Sequence, residues 1–248
     1  MGEPLGLDDG IRIFWQGARS IAPHRFDSYI ETTNATKIEA LARHSWNVAL
    51  CQSLFPALHA CELTLRNAFH DALADKYNTH TWMVGPMVLK ESQQEEVNKA
   101  IQRISSRYKS PTPGRIVAEL SFGFWVRLLF KDYTEKASDP LIARSFKHSG
   151  NTKISRQLLN GTYADILELR NRAYHLEAIW NRPDLALECD DIWEAVAWIN
   201  PVYAALARKD CTVRQVLADG FDRHCTQTKA LIQAKVDRHN TKIANGDG

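Results

Sequence analysis

The sequence predicts an all-α protein, a helical bundle. Two observations point there first: apolar residues recur at three- and four-residue spacing over long stretches, and strand-type alternation is nowhere sustained. A third narrows the architecture: no repeat of fixed period and no Gly-rich phosphate loop is present. The 248 residues suit one domain, or one and a half, and the 44% hydrophobic fraction is ample for a packed core.

Residues 1–33 carry scattered apolar groups and read as an N-terminal arm, with a short helix near Pro23–Glu31. A helical domain is expected over 34–210. Its first helix starts near Thr36, with Ile38, Leu41, Ala42, Ser45, Val48 and Ala49 at helical spacing; Pro56 interrupts it or starts the next one. Helical periodicity resumes from Ala57 to about Tyr77. Residues 78–88 read as a loop with buried anchors, and Ser92 to Tyr108 as a polar helix with Val97, Ile101 and Ile104 on one stripe. The run from Ser110 to Gly114 is a break. A buried helix is expected over Gly114–Phe130, and a loop with one short helix over 131–154. Lys153–His175 reads as a long helix despite Gly161, and 190–207 as another. Residues 211–248 form a C-terminal helix and polar tail.

Composition removes several classes of function. A net charge of +2 does not announce nucleic-acid binding, so any RNA site must be a local patch. The five Cys, at 51, 61, 189, 211 and 225, form no CxxC pair. That argues against a zinc ribbon or a disulfide framework and for reduced thiols in a cytoplasmic protein. No two of the nine His are four apart, so neither a metal nor any other cofactor is expected. No run of 18 apolar residues exists, and the first ten lack a basic segment followed by an apolar one. Neither a membrane span nor a signal peptide is expected.

Three groups of residues could carry chemistry. On a helix, Asn171 and His175 share a face, and the long side chain of Arg170 can bend toward it. Guanidinium, amide and imidazole together suit phosphodiester chemistry. Arg grips phosphate and never loses its charge, His moves protons near neutral pH, and RNA supplies its own 2′-OH nucleophile. The competing reading is an ion pair within the bundle, with Glu177, seven positions on, as the partner of Arg170. Glu62, Arg66 and His70 are spaced by four and line one face, as a cleft network or as a structural ion pair with a satisfied His. Lys99, Arg103 and Arg107 form a basic stripe that could meet an RNA backbone or simply face solvent.

Four ordered segments resemble those of the Abi-like branch of the HEPN superfamily. Leu169 to Trp180 is similar to the family's LRNRxxHHExIW stretch, and Ser45-Trp46-Asn47 to its xWN helix. Glu62 to Asn67 is similar to its ExxLRN helix, and Pro113 to Trp125 to its LSFGFW helix. The resemblance covers about residues 20–205.

It implies a HEPN-like bundle of four or five helices with additional terminal helices, often a homodimer. In catalytic members an Arg and a His, separated by four to six residues, face the same pair of the partner chain and form one ribonuclease site. Arg170 and His175 fit that spacing, and Asn171 stands at the polar position after Arg. Glu62, Arg66, Asn67, His70, Tyr174 and Glu177 become supporting residues. Leu176 stands where the family has the second His of a common pair. The implied activity is a metal-independent endoribonuclease of phage-defence or toxin type, with RNA and a possible antitoxin or defence protein as partners. The alternative is a non-catalytic bundle that binds RNA or a partner protein.

Overall fold

The computed structural model describes residues 3–85, 88–107, 109–133, 139–150 and 152–245. Pro86 and Met87 of the expected loop, and Tyr108 at the end of the expected polar helix, lie outside them. Among the described residues there is no strand, as the periodicity predicts. The helices are α1 (Leu7–Ile21), α2 (Pro23–Thr33), α3 (Lys37–Tyr77), α4 (Glu91–Ser106), α5 (Pro113–Glu119), α6 (Phe122–Arg127), α7 (Asp139–Ser145), α8 (Arg156–Tyr174), α9 (Leu185–Ile199), α10 (Pro201–Arg208) and α11 (Val213–Ala244).

Several boundaries differ from expectation, each for a physical reason. Pro56 does not divide α3, which runs for 41 residues. A proline inside a helix costs about 3 kcal/mol through its missing N–H and its clash with the preceding turn. Around it, Leu50, Leu54 and Leu58 are 0–2% exposed. Each fully buried Leu contributes roughly 1.5–3 kcal/mol, so burial outweighs the break. Gly161 likewise leaves α8 whole: it costs about 1 kcal/mol against a buried stripe of Leu159, Tyr163, Ile166, Leu169 and Ala173. Where one buried helix is expected after Gly114 there are two, because Ser121 starts a new one by accepting from the N–H of Phe124 at 3.2 Å. Asn200 and Pro201 divide the expected 190–207 helix into α9 and α10 in the same way, with the Asn200 side chain accepting from Tyr203 N–H at 2.9 Å. Gly220, with φ of 70°, kinks α11.

The chain forms two compact units, neither a single stretch of sequence. The first comprises 1–53, 176–183 and 212–248. The second comprises 54–175 and 184–211.

In the first unit, α1 is a full helix where an arm is expected. Its Trp15 meets Phe26 of α2 edge-on at 5.7 Å, and with Tyr29 and Ala40 they form a buried cluster. Gly10 sits against α11 so closely that a Cβ there would lie 2.6 Å from Val236 and 2.8 Å from Ile232. The centre of this unit is Asn47, 0% exposed. Its Nδ2 donates to the carbonyls of Leu176 at 3.3 Å and Glu177 at 3.0 Å, and its Oδ1 accepts from the N–H groups of Ile179 at 2.8 Å and Trp180 at 3.3 Å. Trp180 is further held by the Arg43 guanidinium, 4.9 Å from its ring.

In the second unit the buried stripe of α3 is Leu54, Leu58, Cys61, Leu65 and Phe69. Tyr163 of α8 is fully enclosed and donates its hydroxyl to the Ala195 carbonyl of α9 at 3.4 Å. Phe122, Phe124 and Trp125 are buried, matching their reading as core. The Cys189 and Cys211 sulfurs lie 3.5 Å apart as free thiols.

One window of α3 has the length and composition to cross a membrane, with mean hydropathy 1.3. More than half of it, 56%, is buried within the protein, which is how a core helix uses such residues.

Asn47→Ala is expected to destabilise the protein by about 2–4 kcal/mol, because two buried N–H groups and two carbonyls lose their partner at once. Urea unfolding of both proteins measures this. A change below about 0.5 kcal/mol would show that the asparagine contributes no more than an ordinary surface residue.

Candidate functional site

The predicted Arg170 group lies in the second unit at the C-terminal end of α8. Ser155 caps the start of the helix by accepting from Leu158 N–H at 3.1 Å. At the other end His175 is the cap residue, and its N–H donates to the Asn171 carbonyl at 3.0 Å. Leu176 then turns the chain with φ of 52°. The helix therefore ends before Glu177, and the seven-residue spacing that would pair Glu177 with Arg170 along a continuous helix does not apply.

Glu62 of α3 supplies the carboxylate instead. Arg170 Nη2 lies 3.6 Å from Glu62 Oε2, with both side chains about four-fifths covered. That distance is an ion pair but not a hydrogen bond. Arg170 Nη1 donates to Asn171 Oδ1 at 3.3 Å, and the guanidinium carbon sits 4.2 Å from the centre of the Tyr174 ring. A carboxylate, an amide and an aromatic face thus orient the guanidinium. Burial pushes the Tyr174 phenol above its ordinary range, despite the nearby Arg170 charge, so it stays protonated.

Arg170, Asn171, Tyr174 and Glu62 are therefore one constellation, and His175 follows them at the exposed end of the helix. Arg66 is one turn beyond Glu62 on α3 and half-buried, while Asn67 beside it is exposed. His70 does not join them. It accepts a hydrogen bond at Nδ1 from Trp82 Nε1 at 3.1 Å, and its ring lies 5.8 Å from that of His80. Of the two readings of the 62–66–70 face, these contacts match the structural one: Glu62 makes an ion pair with Arg170, and His70 is satisfied by Trp82.

The α4 stripe is largely paired within the protein. Arg103 donates to Glu119 at 2.8 Å, Arg107 reaches the same carboxylate at 3.2 Å, and Lys99 lies 3.9 Å from Glu95. These pairs are exposed, so each contributes little to stability. They nevertheless reduce the positive field of this face.

Two residues were not singled out by sequence. Phe55 and His59 lie on the face of α3 that continues through Glu62 and Arg66, at spacings of four, three and four. Phe55 stacks on His59 and on Tyr174, in both cases with ring centres 5.8 Å apart. The signal was the four-residue spacing itself, hidden by the reading of Pro56 as a break.

A polar pocket lined by Asp75, Asn78, Thr79, His80 and Arg144 occupies the end of α3 and contains none of the Arg170 group. Among the described residues no three His, Cys, Asp or Glu side chains are grouped to hold a metal ion. No family model, curated protein or solved structure matches the chain.

Burial pushes the His70 imidazole below its ordinary value of 6.5. The unfolded chain then binds more protons than the folded one just below that value. Stability is full above about pH 6.5 and is lost as the pH falls through the folded-state value. His70→Gln, which keeps an acceptor for Trp82, is expected to show a smaller loss of Tm than the wild type between about pH 7 and about pH 5. Equal losses in the two proteins would remove His70 from the acid response.

Proposed function

We propose that this chain is a metal-independent endoribonuclease of the Abi-like HEPN type, acting in the cytoplasm in phage defence or as a toxin. The observation that carries the reading is the Arg170 constellation, in which an amide, a carboxylate and a ring orient a guanidinium in the last turn of the helix that His175 caps. The four-segment resemblance supports it independently of that geometry.

Arg170 would hold the scissile phosphate. Its ion pair with Glu62 is loose enough to orient the guanidinium while leaving its donors able to turn to a phosphate oxygen. The 2′-oxygen attacks phosphorus and the bond to the 5′-oxygen breaks. One imidazole takes the 2′ proton and another protonates the departing oxygen. The two roles would fall to His175 of each protomer in a homodimer, with Asn171 orienting phosphate or ring. The products are a 2′,3′-cyclic phosphate and a 5′-hydroxyl. Leu176, where the family has a second His, holds a left-handed backbone conformation that histidine adopts more readily than leucine. Its place is thus compatible with a turn role for that position.

The second reading is a bundle that binds RNA or a defence partner without cutting. It is favoured by the Arg170–Glu62 pair, which gives Arg170 a structural role without any substrate.

His175→Ala is expected to lower RNA cleavage in EDTA about 100-fold or more with the fold intact. Arg170→Lys is expected to reduce it as well, since a point charge replaces a planar fork. Labelled tRNA and total RNA, with end-group analysis of the fragments, provide the readout. Cleavage that survives His175→Ala refutes the assignment, and wild-type protein that shifts RNA without shortening it supports the second reading.

A further inference from the structure

A chain of ring contacts runs beside Arg170 that core packing does not require. On α3 the planes of Phe55 and His59 are 4° apart, and Tyr174 of α8 stacks on Phe55 at an angle of 29°. The Arg170 guanidinium closes the series over Tyr174. Phe55 remains 50% exposed and Tyr174 44%. Single exposed aromatics are ordinary on a protein surface. Three in series, with Phe55 between His59 and Tyr174 and a guanidinium over Tyr174, form a partly wet π surface next to a cation.

Two kinds of occupant could cover it. A second apolar protein face would have to desolvate Arg170, which lies over the last ring, together with its partners Glu62 and Asn171. A nucleic-acid strand has the matching chemistry. Its bases offer π faces to the rings, and its phosphates offer oxygens to the Arg170 guanidinium, which lies over the last ring and stands 3.6 Å from its carboxylate partner. Bases inside a duplex are already stacked on one another and do not reach such a surface, whereas unpaired ones do.

We infer that Phe55, His59 and Tyr174 form a stacking platform for an unpaired base of single-stranded RNA, next to the phosphate held by Arg170. This rests on the ribonuclease reading above and adds a subsite for one base beside the phosphate, built from residues outside the Arg170–His175 pair. Phe55 and His59 position the strand and touch no reacting atom.

The test uses a labelled 2′-O-methyl oligoribonucleotide, whose blocked 2′-oxygen allows binding without cleavage. It is presented to the full chain as a single strand, as a duplex with its complement, and as a single strand of abasic residues. Wild type is expected to prefer the single strand. Phe55→Ala should raise Kd for it about tenfold, while Phe55→Trp should not. On the abasic strand Phe55→Ala and wild type should bind alike, a result that loss of charge or of fold cannot produce. Equal binding of the base-bearing strand by wild type and Phe55→Ala overturns the platform, and continued cleavage in EDTA would then leave the ribonuclease reading standing. Phe55→Ala that dissociates a dimer yet keeps wild-type affinity for the single strand assigns the rings to contact between copies and also overturns it. Wild type that neither binds any probe nor cleaves RNA overturns both.

Discussion

Four hydrogen bonds from the buried Asn47 side chain to backbone groups hold the segment that follows α8. A buried amide has two donors and one acceptor oxygen with two lone pairs, and Asn47 places them on backbone groups of Leu176, Glu177, Ile179 and Trp180. Those four groups cannot also belong to a continuing helix. The chain leaves α8 at His175 and turns through Leu176, a residue that bears a Cβ and has φ of 52°. A left-handed turn at a residue with a side chain costs roughly 1–2 kcal/mol. Several hydrogen bonds of about 1 kcal/mol each, together with the high cost of stranding any of the partners in the interior, are enough to hold it. Asn47 thus fixes the backbone of residues 176–180, the segment that follows α8 in the chain.

Much of the fold was legible because helical periodicity survives in almost every segment. The stripe through Leu159, Tyr163, Ile166 and Leu169 gives α8 to within a few residues. The break expected at Pro56 failed because a local signal was outvoted by burial that only the tertiary structure supplies, whereas the long helix expected through Gly161 is α8. The N-terminal arm failed differently. Residues 7–21 carry Leu7, Ile11, Phe14, Trp15 and Ala18 at three- and four-residue spacing, an amphipathic stripe hidden by reading these residues as scattered apolar groups. Gly10, the residue that lets α1 approach α11 closely, reads in the sequence as a turn former.

The candidate site was partly legible for related reasons. Arg170, Asn171 and Tyr174 are neighbours in sequence, and any helix brings them together. Glu62 could be suspected as polar on an apolar helix, but its partner lies on another helix 108 residues further along, and spacing alone does not show that pairing. Glu177 looked the better partner only while α8 was taken to continue. His70 shared the spacing of Glu62 and Arg66, yet one further turn of α3 carries it to Trp82, where a single hydrogen bond accounts for it. Spacing by four places residues on one face without deciding how far along that face a site extends.

Charge also distributes itself in a way the sequence alone did not show. The basic residues of α4 face Glu95 and Glu119, so the longest cationic stripe in the sequence is locally compensated. At the end of α8 the Arg170–Glu62 pair is longer than a hydrogen bond. A guanidinium saturated by a bidentate carboxylate would have to give up that partner to meet a phosphate. One held at 3.6 Å and steadied by an amide and a ring has less to give up. The same argument explains why a nearly neutral protein could still engage a polyanion. What matters at short range is the local imbalance of charge and the orientation of its donors, not the net charge of the chain.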